Sequence, residues 1–494
     1  MQKVTKRNIA LAIIFLLILV VVALLIGNFT YSFLGADIDE DVTTKGETTA
    51  SGDTLIFSSG NTLSLHATTD NFNATSGNLT DTTNPSVRLI ASSRTNNATA
   101  TYFAGIRIYE NTYTYSSGTT AEVILTVRDE NGALLEASSD ELPYVTVNDV
   151  SGFDITGKTG AFNIAIDHPI STTSSTNGTT HTWTFTLTFV NLETDQSINE
   201  NANLEMDVVL QQDRIAMPTF AEICREENSN TLACKVATTY TTDGENGLYY
   251  HDGVGTYTNA NQEAGDNSYR FSVADPNNYV CFGSDEGTCP ADNLYRIIGV
   301  FGNQVKLIKN ARIGYNYWSG SISNDNNTWS SSTLNTDILN GTYLNTLGSE
   351  WTSKIATTSW KVGRTSSSTT NTVKQYYTTE LGSSSSSTIY NAKIGLMYVS
   401  EYGYAASPEN WNTTLNNYAN DTNRNNNWMY MGAYEWTISR NSASTSGAFH
   451  VLDYGDVYGY GVNNNDGVRP SFSLESDVVL SGGSGSSADP YRIA

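Results

Sequence analysis

The chain is 494 residues long, too long for one compact domain and suited to two or three. Only 15% of its residues are charged, yet 50 acidic against 26 basic side chains leave a net charge of −24, a field that repels phosphate backbones and sets nucleic-acid binding aside. Hydrophobic residues make up 39%, with 29 Tyr, 16 Phe and 8 Trp to fill a core, and 39 Gly among abundant Ser, Thr and Asn favour β-structure with polar loops over long amphipathic helices.

Lys3, Lys6 and Arg7 precede an unbroken apolar run from Ile9 to Ile26. Eighteen helical residues cover about 27 Å, enough for a bilayer core. The basic flank should stay cytoplasmic, since Asp37, Asp39, Glu40 and Asp41 follow the run. A cleaved signal peptide is the competing reading, but Leu34-Gly35-Ala36 is a poor cleavage site and the run exceeds the usual apolar region. The reading adopted is residues 1–35 as an N-terminal anchor, a transmembrane helix that holds the rest of the chain at the cell surface as a single-pass protein. Either way, the chain beyond residue 36 lies outside the membrane.

Residues 36–52 are acidic and polar and read as a linker. From 53 to 212, short β-branched or alternating runs recur at Thr54–Phe57, Ser86–Ile90, Thr101–Tyr109, Ala121–Val127, Tyr144–Val147, Ala161–Ile166, Thr180–Val190 and Leu204–Leu210. The clearest is Thr182–Phe189, apolar at every second residue, as a half-buried antiparallel strand requires. Asp129-Glu130-Asn131-Gly132 is a turn signal. Seven or eight such strands make a β-sandwich.

The character changes near Gln211, and residues 213–494 read as a second domain of α+β design, holding all four cysteines and seven of the eight tryptophans. Its first helix starts at Pro218–Ile223, short helices are expected at Thr333–Leu347 and Trp411–Tyr418, and strands at Tyr295–Phe301, Gln304–Ile308, Lys393–Val399, Glu435–Ser439, Phe449–Leu452 and Ser471–Leu474. Four cysteines in an exported chain read as two disulfides. Of the three connectivities, the local one, Cys224–Cys234 with Cys281–Cys289, is adopted; the spacings are not those of a zinc knuckle, and no metal site is expected. The five histidines, His66, His168, His181, His251 and His450, are each isolated in sequence, and no Ser-His-Asp assembly stands out.

Gly467-Val468-Arg469-Pro470, followed by Ser471–Leu474, resembles the closing strand of C-type-lectin-like domains in their formylglycine-generating-enzyme branch. Ile394–Ser400 and Trp436–Arg440 look like core strands of that fold, and the stretch from Tyr295 to Ile493 is similar to exported bacterial proteins that carry an anchor and a β-sandwich. Targets of diversity-generating retroelements share the fold and vary just before such a closing strand. Phe29-Thr30-Tyr31-Ser32-Phe33 gives the first 212 residues a looser likeness to camelysin-type surface and fibre proteins.

The enzymatic branch needs a late cysteine pair for copper and substrate thiol, and no cysteine follows Cys289, so the resemblance does not imply an enzyme here. Sugar-binding lectins of the fold hold calcium through Glu-Pro-Asn and Trp-Asn-Asp. Pro408-Glu409-Asn410-Trp411-Asn412 has these residue types in another order, and Asn463–Gly467 is an Asn/Asp/Gly cluster that reads first as a turn, so no cofactor is expected, with calcium as the alternative. In the resembled fold Arg469 is structural, a buried arginine held by acceptors. The run Phe449–Asn465, rich in Tyr, Asp, Asn and Gly, has the composition of a paratope. The expected ligand contacts are His450, Tyr454, Asp456, Tyr458, Tyr460, Asn463, Asn464 and Asn465. The sequence thus points to a membrane-anchored surface binding protein for a protein or glycan ligand; a subunit of a surface fibre is the alternative.

Overall fold

The structure is a computed structural model and describes residues 44–494 apart from 49–51, 74, 240, 241, 243, 254–261, 320–325, 364, 367 and 383–387. The apolar run at 9–26 and the Phe29–Phe33 motif lie outside the described residues, and among those described no helix is long and apolar enough to cross a membrane. The chain divides into two compact units, Met1–Met217 and Pro218–Ala494; the described residues are mainly β overall, with the helices concentrated in the second unit.

The first unit contains three antiparallel sheets. In one, the strands run in the order Thr44–Thr48, Thr54–Ser58, Ser86–Ile90, Thr179–Thr182; the stretch assigned above to a linker thus contributes a strand, paired Thr44 to Ser58. The second orders Gly160–Thr172, Ala98–Asn111, Asn203–Gln211, Leu63–His66, and the third Leu79–Thr83, Thr184–Phe189, Val123–Arg128, Val150–Asp154, Tyr144–Val147. Alternation explains the packing: along Asn203–Gln211, Leu204, Met206, Val208 and Leu210 turn inward while the residues between them are half-buried. These side chains share one core with Leu55, Val87, Leu125, Trp183 and Phe185.

The long strand expected over Thr180–Val190 is two strands in two sheets, broken at Trp183. The partner chain breaks at the same level, between Leu79–Thr83 and Ser86–Ile90, where Pro85 has no N–H for the ladder. Trp183 N–H donates instead to the Pro85 carbonyl at 3.0 Å, and the indole is fully buried.

The second unit has two main sheets. Leu248–His251, Ser268–Phe271, Leu294–Phe301, Gln304–Lys309 and Ser471–Ser473 form the first, with Tyr279–Cys281 also paired to Leu294–Phe301. Gly314–Tyr317, Asn465–Val468, Glu435–Arg440, Gly447–Val451 and Val457–Gly461 form the second, in that order. The Arg469-Pro470 step carries the chain from one sheet to the other. The first helix, Phe220–Glu226, starts two residues later than the expected opening at Pro218, because Thr219 is its cap: its hydroxyl accepts from Glu222 N–H while Glu222 accepts from Thr219 N–H.

The strand expected over Lys393–Val399 is absent. Only Gly395 bridges Ser471, and the chain turns into the helix Val399–Tyr404. Gly395 sits so close to the Trp360 indole that a Cβ would come within 2.7 Å of the ring. The buried Glu380 carboxylate then accepts from the N–H groups of Val399 and Ser400, at 3.1 and 3.0 Å, and from the Ser439 hydroxyl, which starts the helix. Burial pushes the Glu380 carboxyl up to about 7, against these donors, with Glu401 nearby adding to the rise. A carboxyl raised above its unfolded value contributes stability that is full below about pH 4.5 and lost as pH rises through about 7. The melting temperature of the second unit should therefore fall as pH rises from about 4.5 to about 7 and level off above that, and Glu380→Gln should flatten that slope; parallel profiles for the two proteins would refute the assignment.

Cys224–Cys234 and Cys281–Cys289 are disulfides, the local pairing, and among the described residues no cysteine is free. The first ties Phe220–Glu226 to the helix Leu232–Thr238. The second closes an eight-residue separation beside Tyr279–Cys281. Two disulfides and a β-rich fold fit a protein that matures outside the cytosol. Replacing Cys281 and Cys289 by serine should lower the stability of the second unit by about 2–3 kcal/mol, the chain entropy of so short a loop. The first unit's transition in a urea titration should not move.

Candidate ligand-binding face

The C-terminal sheet sorts its side chains by strand period. Val451 pairs with Val457, and both are buried, as is Phe449 on the same face; His450 pairs with Tyr458 and Ala448 with Tyr460 on the opposite face. Trp436 lies across from His450 on the next strand, so one face carries Trp436, His450, Tyr458 and Tyr460 in adjacent positions. The two inner rings are covered by the outer ones. His450 is 1% exposed because Tyr460 stacks on it at 4.7 Å and 7°, with Tyr434 at 5.8 Å and 28°. Its Nδ1 is 2.8 Å from Asp466 Oδ2, which fixes the ring, while Nε2 is buried with no partner. Trp436 donates its indole N–H to the Asn316 carbonyl at 2.9 Å.

What reaches solvent is a set of four tyrosines, Tyr434, Tyr454, Tyr458 and Tyr460, between 36% and 48% exposed. Tyr454 stands at the tip of the turn Leu452–Asp456, closed by Leu452 N–H to the Asp456 carbonyl at 2.8 Å. The turn is pinned from below. Tyr402 donates its hydroxyl to Gly455 O at 2.8 Å, and the Asp456 carboxylate accepts from Ala419 N–H. Gly455 has φ +101°, and a Cβ there would meet the Tyr418 carbonyl at 3.2 Å, so glycine is required. Asp453, exposed on the same turn, holds the Tyr434 hydroxyl above its ordinary pKa by its negative charge.

The eight residues singled out in the sequence therefore divide. Tyr454, Tyr458 and Tyr460 are presented to solvent, and Asn465 is exposed at the start of its strand. His450 and Asp456 are not available as direct contacts: both are buried, one behind the rings and one holding the turn. Asn463 and Asn464 are half-buried, and Asn464 spends its side-chain N–H on Gly461 O, at 2.9 Å, closing the turn into Asn465–Val468. Tyr434 was not anticipated; its one sequence signal is an aromatic immediately before a strand.

Arg469 is inside the molecule. Its guanidinium meets the equally buried Glu435 through Nε and Nη2, the latter at 3.1 Å, and Nη2 also donates to Met429 O at 2.8 Å. The Pro408–Asn410 turn leads into Trp411, which packs on His251 and Tyr404 with its N–H donated to Ala406 O at 3.0 Å, so this stretch is built around the ring.

The fold and the face together define a disulfide-bonded domain of mixed helices and sheets that presents aromatic side chains from a braced scaffold. Residues 302–476, which include the whole of that face, match a family described as a domain of unknown function (DUF6273). No curated protein and no solved structure matches the chain.

Proposed function

We propose that the chain is a cell-surface binding protein whose second unit, a C-type-lectin-like domain, recognises a protein or glycan through its tyrosine face. The observation that carries this reading is the presentation of Tyr434, Tyr454, Tyr458 and Tyr460 on one braced surface. Large rings left in water do little for a monomer, yet they supply wide amphipathic contact area at small entropic cost when a partner covers them. Asp453 and Asn465, both exposed, add hydrogen-bonding groups suited to hydroxyls and amides. The apolar run at 9–26 is the membrane anchor in this reading.

The test is an array of glycans and proteins probed with the intact chain in detergent, followed by variants. Tyr454→Ala with Tyr458→Ala should change stability by no more than about 0.5 kcal/mol, as for surface positions. Binding should fall by about 2 kcal/mol or more, some thirty-fold, as when an aromatic anchor is lost. Tyr460→Ala is a different case, because it uncovers His450, and should lower stability by about 1 kcal/mol. A ligand that binds the double variant as tightly as the parent would overturn the proposal.

A further inference from the structure

The five histidines are scattered in sequence, but the first unit brings two of them to one place. His168 lies on Gly160–Thr172 and His181 on Thr179–Thr182, each an edge strand of its sheet, and Glu130 sits on the turn that follows Val123–Arg128 of the third. His168 Nε2 is 3.0 Å from Glu130 Oε2, and one ligand atom from each of the three residues lies within 4.8 Å of the others. Among the described residues this is the one such grouping of His, Cys, Asp and Glu.

The neighbouring chain is arranged to hold these groups. The strand Gly160–Thr172 shifts register between Ala165 and His168, with Asp167 in the left-handed region at φ +51°, and this bulge sets His168 opposite Tyr102. The Tyr102 hydroxyl lies 3.0 Å from His181 Nδ1 and accepts from the Trp183 indole N–H at 2.8 Å, so the His181 ring is oriented by a buried chain of hydrogen bonds. Asn131 Nδ2 donates to Glu130 Oε1 at 3.2 Å, leaving Oε2 facing His168.

We propose that Glu130, His168 and His181 form a site for a divalent transition-metal ion of the zinc class, taking one ligand from an edge strand of each of two sheets and one from the turn that follows a strand of the third. Two imidazoles and a carboxylate are a donor set for zinc rather than for calcium or magnesium, which take oxygen. Ligand atoms on a tetrahedral ion stand about 3.4 Å apart, at bond lengths near 2.1 Å, so the three groups need only small side-chain rotations to close on it. The site is partly open, with the His168 and Glu130 side chains 23% and 17% exposed, which lets an ion enter and leaves the fourth position to water. The ion would tie together the edge strands of two sheets and the turn beside them.

The experiment is a calorimetric titration of the intact chain with zinc chloride alone, run beside cobalt(II) absorption spectroscopy. One zinc per chain is expected, with tetrahedral cobalt bands and a rise of about 5 °C or more in the melting of the first unit at saturating zinc. His168→Gln, His181→Gln and Glu130→Gln should each weaken zinc by at least about 100-fold, while His66→Ala should not. A readout on the parent protein needs no folded variant: zinc should protect His168 and His181 from carbethoxylation and leave the exposed His66 reactive. Absence of saturable binding, equal modification of the three histidines with and without zinc, or binding that survives in the His168 and His181 variants overturns the proposal.

Discussion

Arg469→Ala is expected to lower the stability of the second unit by about 3–5 kcal/mol, the range for breaking a buried pair by removing one partner. The guanidinium is 1% exposed and Glu435 2% exposed, so the change strands a carboxylate where water cannot reach it and also leaves Met429 O without its donor. Position in the chain adds to the effect. Arg469 lies between Asn465–Val468 and Ser471–Ser473, which belong to different sheets, and Glu435 opens the strand at the centre of the second sheet. A paired change, Arg469→Met with Glu435→Leu, removes both charges and should recover most of the loss. Urea unfolding followed by tryptophan fluorescence, rich in this unit, measures both. A single variant within 1 kcal/mol of the parent would mean that the pair is not the anchor of this corner.

Trp183→Ala should be comparably damaging to the first unit, at about 3–5 kcal/mol for a fully buried indole. The ring fills the bend where one chain leaves one sheet for the next, against Phe185 and His168, and donates to the Tyr102 hydroxyl. Truncation therefore opens a cavity and takes a partner from a buried hydroxyl at once. Trp183→Phe keeps most of the volume and loses the N–H, so it should lose only about 1–2 kcal/mol, the hydrogen-bond share. Equal losses for Ala and Phe would show that the hydrogen bond, and not the volume, fixes the bend.

The parts of the fold legible in the sequence were those governed by neighbours along the chain. Ser86–Ile90 and Tyr144–Val147 have the residues expected, because alternation or a β-branched run is a local signal. Leu79–Thr83 escaped notice because its sequence, Leu-Thr-Asp-Thr-Thr, offers no apolar alternation and is held by pairing to Thr184–Phe189. Val150–Asp154 is the return arm of a two-residue hairpin whose turn, Asn148-Asp149, takes positive φ at both positions without a glycine to signal it. The strand expected at Lys393–Val399 failed for two reasons: Glu401, three residues on from Tyr398, closes a local capping box that the apolar run concealed, and Glu380, whose carboxylate accepts from Val399 N–H, is brought there by the fold. At the candidate face, composition pointed to the tyrosines, but not to which side chains stand behind them. His450 and Asp456 look in sequence like the polar half of a paratope and are instead its internal supports. Glu130 and His181 are fifty-one positions apart, the three groups come from two sheets and a turn, and no spacing rule could have joined them.

The two-residue period of Val457–Gly461 gives the segment two separate constituencies. Val457 answers to the interior, with glycines at the next two positions on its side, whereas Tyr458 answers to whatever lies outside and Tyr460 to both, since it also covers His450. Inheritable change can therefore accumulate on one set of alternate codons while the other is held constant. The side chain at position 458 can thus be exchanged while the same folded domain is inherited.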